Sequence, residues 1–252
     1  MGDVISLLQV VVIIALMASP ITASAQTNVP INHIHTTQKI VALTFDADMN
    51  PKMLRELHKH AVSSWYEKSI IDELIAKKIP ATLFLTGMWI EEYSTTTTEL
   101  SINPLFEIGN HSYSHPAFSS PCYKLATTTE SGDDFQVSET DKLLTKYVPH
   151  HSTLFRFPGL CYDADDLRAV TNAGYSPIGG DVLGGDGFQT SANAIVSNVV
   201  NRVRPGSIVV LHMMGGPNAP KTAEALPIII GKLQKEGYRF VTISDLLKLK
   251  EK

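Results

Sequence analysis

The chain has 252 residues, of which 44% are hydrophobic and 18% are charged, and this composition excludes a disordered tail, a collagen-like fibre and a polytopic membrane protein. Its 21 Lys and Arg residues against 25 Asp and Glu give a formal charge of −4, so net charge gives no reason to expect nucleic-acid binding. Because α/β barrels of about 200–250 residues are often single domains, the length alone leaves the number of domains open.

The first 25 residues have the pattern of a secretory signal peptide. Residues 4–17 are almost wholly apolar, a run shorter than the roughly 20 residues needed to cross a bilayer, and they lead to Ala23-Ser24-Ala25. Since no Lys or Arg precedes the apolar run, an uncleaved anchor is the alternative. We predict cleavage after Ala25, a secreted or periplasmic protein with no stable membrane insertion, and an oxidising compartment in which cysteines can pair.

The rest of the chain alternates between strand-like and helix-like segments. Residues 26–38 are polar and predict a loose lead-in to one folded unit at 39–252. Strands are predicted at residues 39–45, 81–85, 106–108, 154–157, 175–178, 207–211 and 238–243. Helices are predicted at residues 67–78, 139–148, 165–173, 192–203 and 222–236, with a loop tip at 94–98. This alternation is typical of an α/β fold with a parallel sheet.

The polar residues with catalytic potential come directly after predicted strands. In a β/α barrel these strand ends form the one face that carries active sites, so the pattern predicts that the residues share a site. They are Asp46, Asp48, His111, His115, Arg156, Asp181, Asp186 and His212.

Two pairs among these residues have the spacing of metal ligands or of a ligand beside a base. His111 and His115 are four residues apart, so one helical turn would let both imidazoles reach one ion; two surface or capping histidines are the alternative. Asp46 and Asp48 would point to the same side of an extended segment, while Ala47 points to the other. One carboxylate could bind metal and one could act as a base, or both could be ordinary strand-end and capping acids.

Arg156 and His212 are further candidates at strand ends. Asp186 or Asp181, from the glycine-rich residues 179–187, could pair with Arg156 and orient it; the alternative is a surface ion pair worth well under about 1 kcal/mol. Histidine has a pKa near neutrality, so His212 suits a general acid, and a neutral hydrogen-bonded core histidine is the alternative.

Five ordered segments resemble the motifs of the polysaccharide deacetylases, the carbohydrate esterase family 4 enzymes, also called NodB-homology domains. The segments are Thr44-Phe45-Asp46-Ala47-Asp48, the string GNHSYSHP at 109–116, Arg156-Phe157-Pro158-Gly159, Gly185-Asp186 and Val210-Leu211-His212. The resemblance spans residues 40–247, and GNHSYSHP is its most specific part. It implies a distorted (β/α) barrel of about seven parallel strands, with the catalytic domain at 39–252.

The resemblance also implies a metal-dependent hydrolase that removes acetyl groups from an acetylated glycan, either peptidoglycan or a chitin-like polymer of N-acetylglucosamine. A divalent metal, usually Zn2+, is held in the family by two histidines, here His111 and His115, and by one Asp of the first motif, and it activates the attacking water. Asp46 matches the general base and His212 matches the acid that protonates the leaving group. A glycan-binding pseudoenzyme and a hydrolase of small C–N amides are the alternatives.

Other residues receive supporting roles from the same resemblance. Arg156, tethered by Asp186, would orient the base. The backbone N–H of Gly159, where many relatives have tyrosine, would face the oxyanion. The remaining candidates for the oxyanion and substrate region are Phe157, Pro158 and Leu211.

The chain departs from the family pattern at two places. The usual first motif is Thr-Phe-Asp-Asp-Gly, in which the second Asp binds metal, but here Ala47 occupies that position and Asp48 replaces the glycine. We hypothesise that Asp48 takes over as the ligand, because alternation places its carboxylate on the side of Asp46. The tryptophan that often follows the Asp of the fourth motif is replaced by Gly187-Phe188, which puts the usual wall of the acetyl pocket in question.

The two cysteines gain a role from this assignment. Cys122 lies seven residues beyond His115, and Cys161 lies five residues beyond Arg156, so both belong to loops expected to border one cleft. In an exported protein we expect them to form a disulfide; two unpaired buried cysteines are the alternative.

Overall fold

The structure is a computed structural model, and it describes residues 29–249. The predicted signal peptide at 1–25 lies outside the described residues. Among the described helices, none combines the length and the apolar character that a bilayer-spanning segment needs.

The fold is a curled parallel sheet covered by helices, which confirms the predicted distorted (β/α) barrel. The strands are β1 (Ile40–Ala47), β2 (Ala81–Leu85), β3 (Phe106–Asn110), β4 (Leu154–Phe155), β5 (Ser176–Pro177), β6 (Val182–Leu183), β7 (Ile208–His212) and β8 (Arg239–Val241). Their order is β5-β4-β3-β2-β1-β7-β6, and β8 pairs with the first residues of β1. The pairings between these strands are all parallel. Each of the seven predicted strands is present, and the short β6 was not predicted.

Strand β1 lies at the centre of the sheet and positions the site. Its sequence IVALTFDA is buried throughout, as expected for a parallel strand covered on both faces. The pairing register places Asp46, near the end of β1, opposite Phe84 of β2 and His212 of β7. Two candidate catalytic side chains are therefore neighbours across one strand pair.

The described helices are more numerous than the sequence predicted. They are α1 (Pro51–His58), α2 (Lys68–Ala76), α3 (Gly87–Glu92), α4 (Ser94–Ser101), α5 (Glu130–Tyr147), α6 (Ala164–Asn172), α7 (Ala192–Val200), α8 (Thr222–Lys235) and α9 (Ile243–Leu247). The prediction of a loop tip at 94–98 was wrong, because these residues lie in α4. Thr97 is buried there and its hydroxyl donates to the Tyr93 carbonyl, so packing outweighs the weak helix propensity of the threonine run.

The lead-in is tied to the barrel more closely than its polar sequence indicated. Ile31 forms a bridge with Ile178, just beyond β5, and His33 forms a bridge with Ser207, just before β7. Ile34 is buried in a core cluster with residues of β1 and β7. Residues 31–34 therefore connect β5, at one edge of the sheet, with β7, the second strand from the other edge.

Candidate active site

The predicted site residues converge at the carboxyl ends of the strands. Asp46 lies in β1, His111 follows β3, Arg156 follows β4 and His212 ends β7. The carboxyl ends of parallel strands lie at one end of a barrel, so these four side chains come from separate parts of the chain to a single face.

Asp48, His111 and His115 form a compact cluster of metal-ligand type. Asp48 Oδ1 lies 3.4 Å from Nε2 of each histidine, and one donor atom from each of the three residues fits within 4.8 Å of the others. All three side chains are buried. The expectation that a helical turn brings the histidines together was wrong, because residues 111–115 form a loop in which His115 has a φ of 57°.

A backbone contact fixes the proton on His111. Its Nδ1 lies 2.8 Å from the carbonyl oxygen of Arg156. Because a carbonyl can only accept, Nδ1 donates its hydrogen to it, and Nε2 is the nitrogen that faces Asp48. This hydrogen bond to the outer nitrogen is the arrangement found at metal-binding histidines.

The loop between the two histidines is held by the side chains of Gln136 and Asn110, neither of which was predicted as a site residue. Gln136 Oε1 accepts from the backbone N–H groups of Tyr113, at 2.9 Å, and Ser114, at 2.8 Å. Asn110 Oδ1 accepts from Ser112 N at 2.9 Å. Gln136 lies in α5, in a part that the sequence left outside the predicted helix, so no local pattern connected it with the loop.

The charges in the cluster favour a cation. Burial works to raise the pKa of Asp48, but His115 and His111 outweigh it and hold that pKa well below its usual range. Burial lowers the pKa of His115 to about 4 despite the nearby Asp48. At neutral pH the cluster therefore has an ionised carboxylate and a neutral His115. Asp48 Oδ1 is buried without a hydrogen-bond partner, and a metal ion would satisfy it.

Arg156 binds the candidate base directly. Its Nη1 donates to Asp46 Oδ1 and to Thr44 Oγ1, each at 2.7 Å, and its Nη2 donates to the Gly179 carbonyl at 2.9 Å. The guanidinium is fully buried over the ring of Phe84. The other carboxylate oxygen of Asp46 lies 3.9 Å from His111 Nε2, so Asp46 faces the cluster on one side and Arg156 on the other.

The prediction that Asp186 or Asp181 tethers Arg156 was therefore wrong. Asp181 accepts hydrogen bonds from Arg204, Ser207 and the Ile208 backbone. Instead of these aspartates, backbone carbonyl oxygens of the residues after β5 accept hydrogen bonds from Arg156. Backbone acceptors of this kind cannot be recognised from a sequence.

Asp186 binds His212 instead. Asp186 Oδ1 lies 2.8 Å from His212 Nδ1, and its Oδ2 accepts from His212 N and from Thr222 Oγ1, each at 2.7 Å. Burial alone would lower the pKa of His212, but the charge and hydrogen bond of Asp186, helped by Asp48 and Asp46, raise it to about 10. His212 is therefore protonated at neutral pH. Thr222, at the start of α8, was not predicted.

The oxyanion and substrate candidates fall into two groups. Gly159 has a φ of 62°, and a Cβ there would lie 2.6 Å from Cys122 Sγ, so this position requires glycine. Pro158 begins the same turn. The side chains of Phe157 and Leu211 are buried in two separate hydrophobic clusters, so they act in packing. The oxyanion role of the Gly159 N–H stays a prediction.

Cys122 and Cys161 form the predicted disulfide, with their Cα atoms 6.0 Å apart. It joins the loop after His115 to the turn after Arg156. Two loops that border the site are thereby held together.

Comparison with protein families agrees with this geometry. A family model described as polysaccharide deacetylase matches residues 33–178, more than half of the chain. The chain belongs to the polysaccharide deacetylase family. The matched region contains Asp48, His111, His115 and Arg156, while His212 lies beyond it.

Relatives of this family member extend the similarity to most of the chain. A peptidoglycan-N-acetylglucosamine deacetylase of Bacillus cereus is 28% identical over 219 residues, covering 86% of this chain and 92% of the relative. The structure of peptidoglycan deacetylase PdaC from Bacillus subtilis is 28% identical, with a TM-score of 0.68 over 85% of this chain and 92% of that one. A pseudoenzyme of carbohydrate esterase family 4 from Bacillus anthracis shares the fold at 24% identity, with a TM-score of 0.71 over 88% of this chain and 69% of that one.

Proposed function

We propose that this protein is a metal-dependent hydrolase that removes acetyl groups from an acetylated glycan of peptidoglycan or chitin-like type. The observation that carries the proposal is the buried cluster of Asp48, His111 and His115, with its unpaired carboxylate oxygen, beside Asp46 and His212. Deacetylation of peptidoglycan by the Bacillus cereus relative supports the choice of substrate.

The donor set of the cluster fits a divalent metal, most readily Zn2+. Two imidazole nitrogens and one carboxylate oxygen are the ligands of many catalytic zinc sites, which keep a further position open. Asp48 thus supplies the carboxylate that family members with the usual motif take from the preceding position. When bound, the metal supplies Lewis acidity toward the acetyl carbonyl and the attacking water.

Asp46 is placed to take a proton from the attacking water. Its Oδ1 is held by Arg156 at 2.7 Å, and its Oδ2 faces the cluster. The fixed Arg156 contact orients the carboxylate, so that one oxygen remains directed to the reaction.

His212 is placed to protonate the leaving group. Its Nδ1 is bound by Asp186, so Nε2 is the nitrogen that can deliver a proton to the departing amine or alkoxide. The raised pKa keeps that proton on His212 until the tetrahedral intermediate collapses. The products are acetate and the deacetylated sugar.

Acetate release from a panel of acetylated oligosaccharides, with chelator and with added Zn2+, tests the proposal. We expect release that chelator abolishes and Zn2+ restores. Asp48→Ala should lose both bound metal and activity, whereas Asp72→Ala, which removes an exposed carboxylate on α2, should retain both. Unchanged metal affinity and activity in Asp48→Ala would refute the ligand assignment. Glycan binding without metal or acetate would instead support the pseudoenzyme alternative.

Export is a separate part of the proposal. We propose that residues 1–25 are removed as a signal peptide and that residues 39–252 act as the catalytic domain outside the cytoplasm. A disulfide is typical of such compartments, and the Cys122–Cys161 bond supports this location. N-terminal sequencing of the exported protein should find Gln26 first, and any other N-terminus would contradict the predicted cleavage.

A further inference from the structure

Two aromatic side chains from different loops stand exposed and in contact with each other. Tyr123 is 62% exposed and Phe188 is 73% exposed, and their ring centroids are 5.3 Å apart with an interplanar angle of 34°. Contact between them hides only part of each ring. Contiguous exposed apolar surface can mark a ligand-binding site.

Phe188 belongs to the turn that positions the candidate acid. Its N–H donates to the Gly185 carbonyl at 3.0 Å, which closes a turn over residues 185–188. The same turn directs Asp186 inward to His212. Gly187 lies so close that a Cβ on it would be 3.6 Å from His212 Cε1. Phe188 therefore follows directly after a glycine that packs beside His212.

Tyr123 reaches the same rim from the opposite loop. A Cβ built on Gly159 would lie 3.2 Å from Tyr123 Cδ2, so the tyrosine ring covers the backbone of that glycine. The Cys122 carbonyl accepts from Lys124 N at 2.7 Å and from Leu125 N at 2.9 Å, which makes a tight turn around Tyr123. The adjacent disulfide fixes this turn to the segment after Arg156.

The fold maintains this exposed pair at a cost. Tyr123 has a φ of 50°, a left-handed conformation that costs a non-glycine residue about 1–2 kcal/mol. Such strained conformations persist where the surrounding structure holds them, and they cluster at ligand-binding sites. Exposed ring surface also forgoes the stabilisation that burial would bring. A bound ligand would cover both rings, which explains why the fold holds them at the surface.

We propose that Tyr123 and Phe188 form a stacking surface for a pyranose ring of the glycan, next to the sugar whose acetyl group reacts. A pyranose ring has a face of C–H groups and a rim of hydroxyl groups, so its apolar face matches an uncharged aromatic ring while its rim stays in water. This surface lies next to Gly159 and His212, which border the proposed reaction site. This inference rests on the proposed function for the identity of the glycan.

Steady-state kinetics on substrates of different length test the stacking surface. Tyr123→Ala and Phe188→Ala should each lower kcat/KM on N-acetylglucosamine oligomers by about tenfold, mainly through KM, as expected when an anchoring aromatic is removed. Glycerol triacetate has acetyl groups but no pyranose ring, and its hydrolysis should stay within about twofold of wild type, since only uniform binding to the sugar is lost. Phe188→Tyr should retain oligomer activity, because it keeps the ring.

Ile102→Ala provides the matched surface control, since Ile102 is 71% exposed at the end of α4. Equal losses on glycerol triacetate and on oligomers would overturn the proposal in favour of a structural role. Unchanged kinetics on oligomers would also overturn it.

Calorimetric titration of N-acetylglucosamine oligomers into Asp46→Asn separates the proposed hydrolase function from the proposed stacking surface. If wild type releases no acetate, the proposed function fails, while weaker oligomer binding in Asp46→Asn/Phe188→Ala would still support the surface. No oligomer binding in Asp46→Asn itself would overturn the surface.

Discussion

The hydrogen bonds from Gln136 to the loop between the two histidines lead to a sharp prediction about metal affinity. Gln136→Leu keeps a buried side chain of similar volume but removes the acceptor for the N–H groups of Tyr113 and Ser114. Ser112 and His115, on either side of these residues, have φ values of 69° and 57°. Without the acceptor, the loop is free to relax from these left-handed conformations and to move His115 Nε2 away from Asp48.

The size of the effect follows from the number of bonds lost. Each hydrogen bond contributes about 0.5–1.5 kcal/mol net, and Gln136→Leu loses three of them, two from backbone N–H groups and one to Ser114 Oγ, so it should lower the free energy of unfolding by about 3 kcal/mol. For a chain of this size that corresponds to a Tm lower by about 6–12 °C. Loss of groups that orient metal ligands typically weakens metal binding by about 10–100-fold, and we expect a Zn2+ Kd higher by that factor in Gln136→Leu.

Competition with a chromophoric chelator measures the Zn2+ Kd directly, at a temperature well below the Tm of the variant. Ser114→Ala is the matched control, because it removes only the 3.0 Å hydrogen bond from Gln136 Nε2 to Ser114 Oγ and leaves both backbone N–H groups paired. Its Kd should stay within about threefold of wild type, as expected for the loss of one partly buried neutral hydrogen bond. A wild-type Kd in Gln136→Leu would show that the loop holds its shape without the glutamine.

Three further predictions concern proton transfer, pH-dependent stability and the disulfide. Asp186→Asn removes the charge that keeps His212 protonated, so the alkaline limb of the kcat/KM profile should move to lower pH by about one unit or more. Burial and the carboxylate of Asp166 raise the pKa of Asp133 to about 7, so ionisation of Asp133 should reduce wild-type stability as pH rises from about 4 to 7. Asp133→Asn should therefore gain Tm over wild type between pH 5 and 8. Replacing both cysteines with serine should lower the free energy of unfolding by about 2–4 kcal/mol, given the sequence separation of 39 residues.

Each of these three predictions can be refuted by a different result. An unmoved alkaline limb in Asp186→Asn would show that another group donates the proton. A Tm difference between Asp133→Asn and wild type that is the same at pH 5 and pH 8 would show that Asp133 does not titrate in this range. Equal urea midpoints for the double serine variant and the oxidised wild type would show that the covalent link adds no stability.

The strands were predictable because each is a short apolar run that ends in a polar residue or a turn. Strand β6 was missed, since two residues between glycine-rich turns carry no periodicity. The start of α5 was missed for another reason. Residues 130–138 are mostly polar, and this first half of the helix is fixed by contacts such as Gln136 with the histidine loop and Asn110 with the Val137 carbonyl. Contacts between distant segments of this kind leave no local pattern.

The site was predictable where a side chain meets another side chain in a recognisable motif, and less so where it meets backbone. His111, His115 and Asp48 converge as the motifs indicated. The contact of Arg156 with Asp46 agrees with the expectation, but its tether was assigned wrongly because two of its acceptors are carbonyl oxygens. Asp181 and Asp186 also lie in one glycine-rich segment, and nothing in the sequence distinguishes them as partners of Arg156. Only the fold separates Asp186, which turns to His212, from Asp181, which pairs with Arg204.

The departure at Ala47 has a physical explanation in the end of β1. The Ala47 side chain is fully buried in the main hydrophobic cluster, and its carbonyl accepts from Thr86 Oγ1 at 3.0 Å. A carboxylate at position 47 with this backbone conformation would be buried among apolar side chains, at a cost of several kcal/mol. Asp48, one residue further, lies on the side of Asp46 because side chains alternate along an extended chain. The carboxylate that faces His111 is therefore one residue further along the chain than in the usual motif, and Asp46 lies beside Arg156.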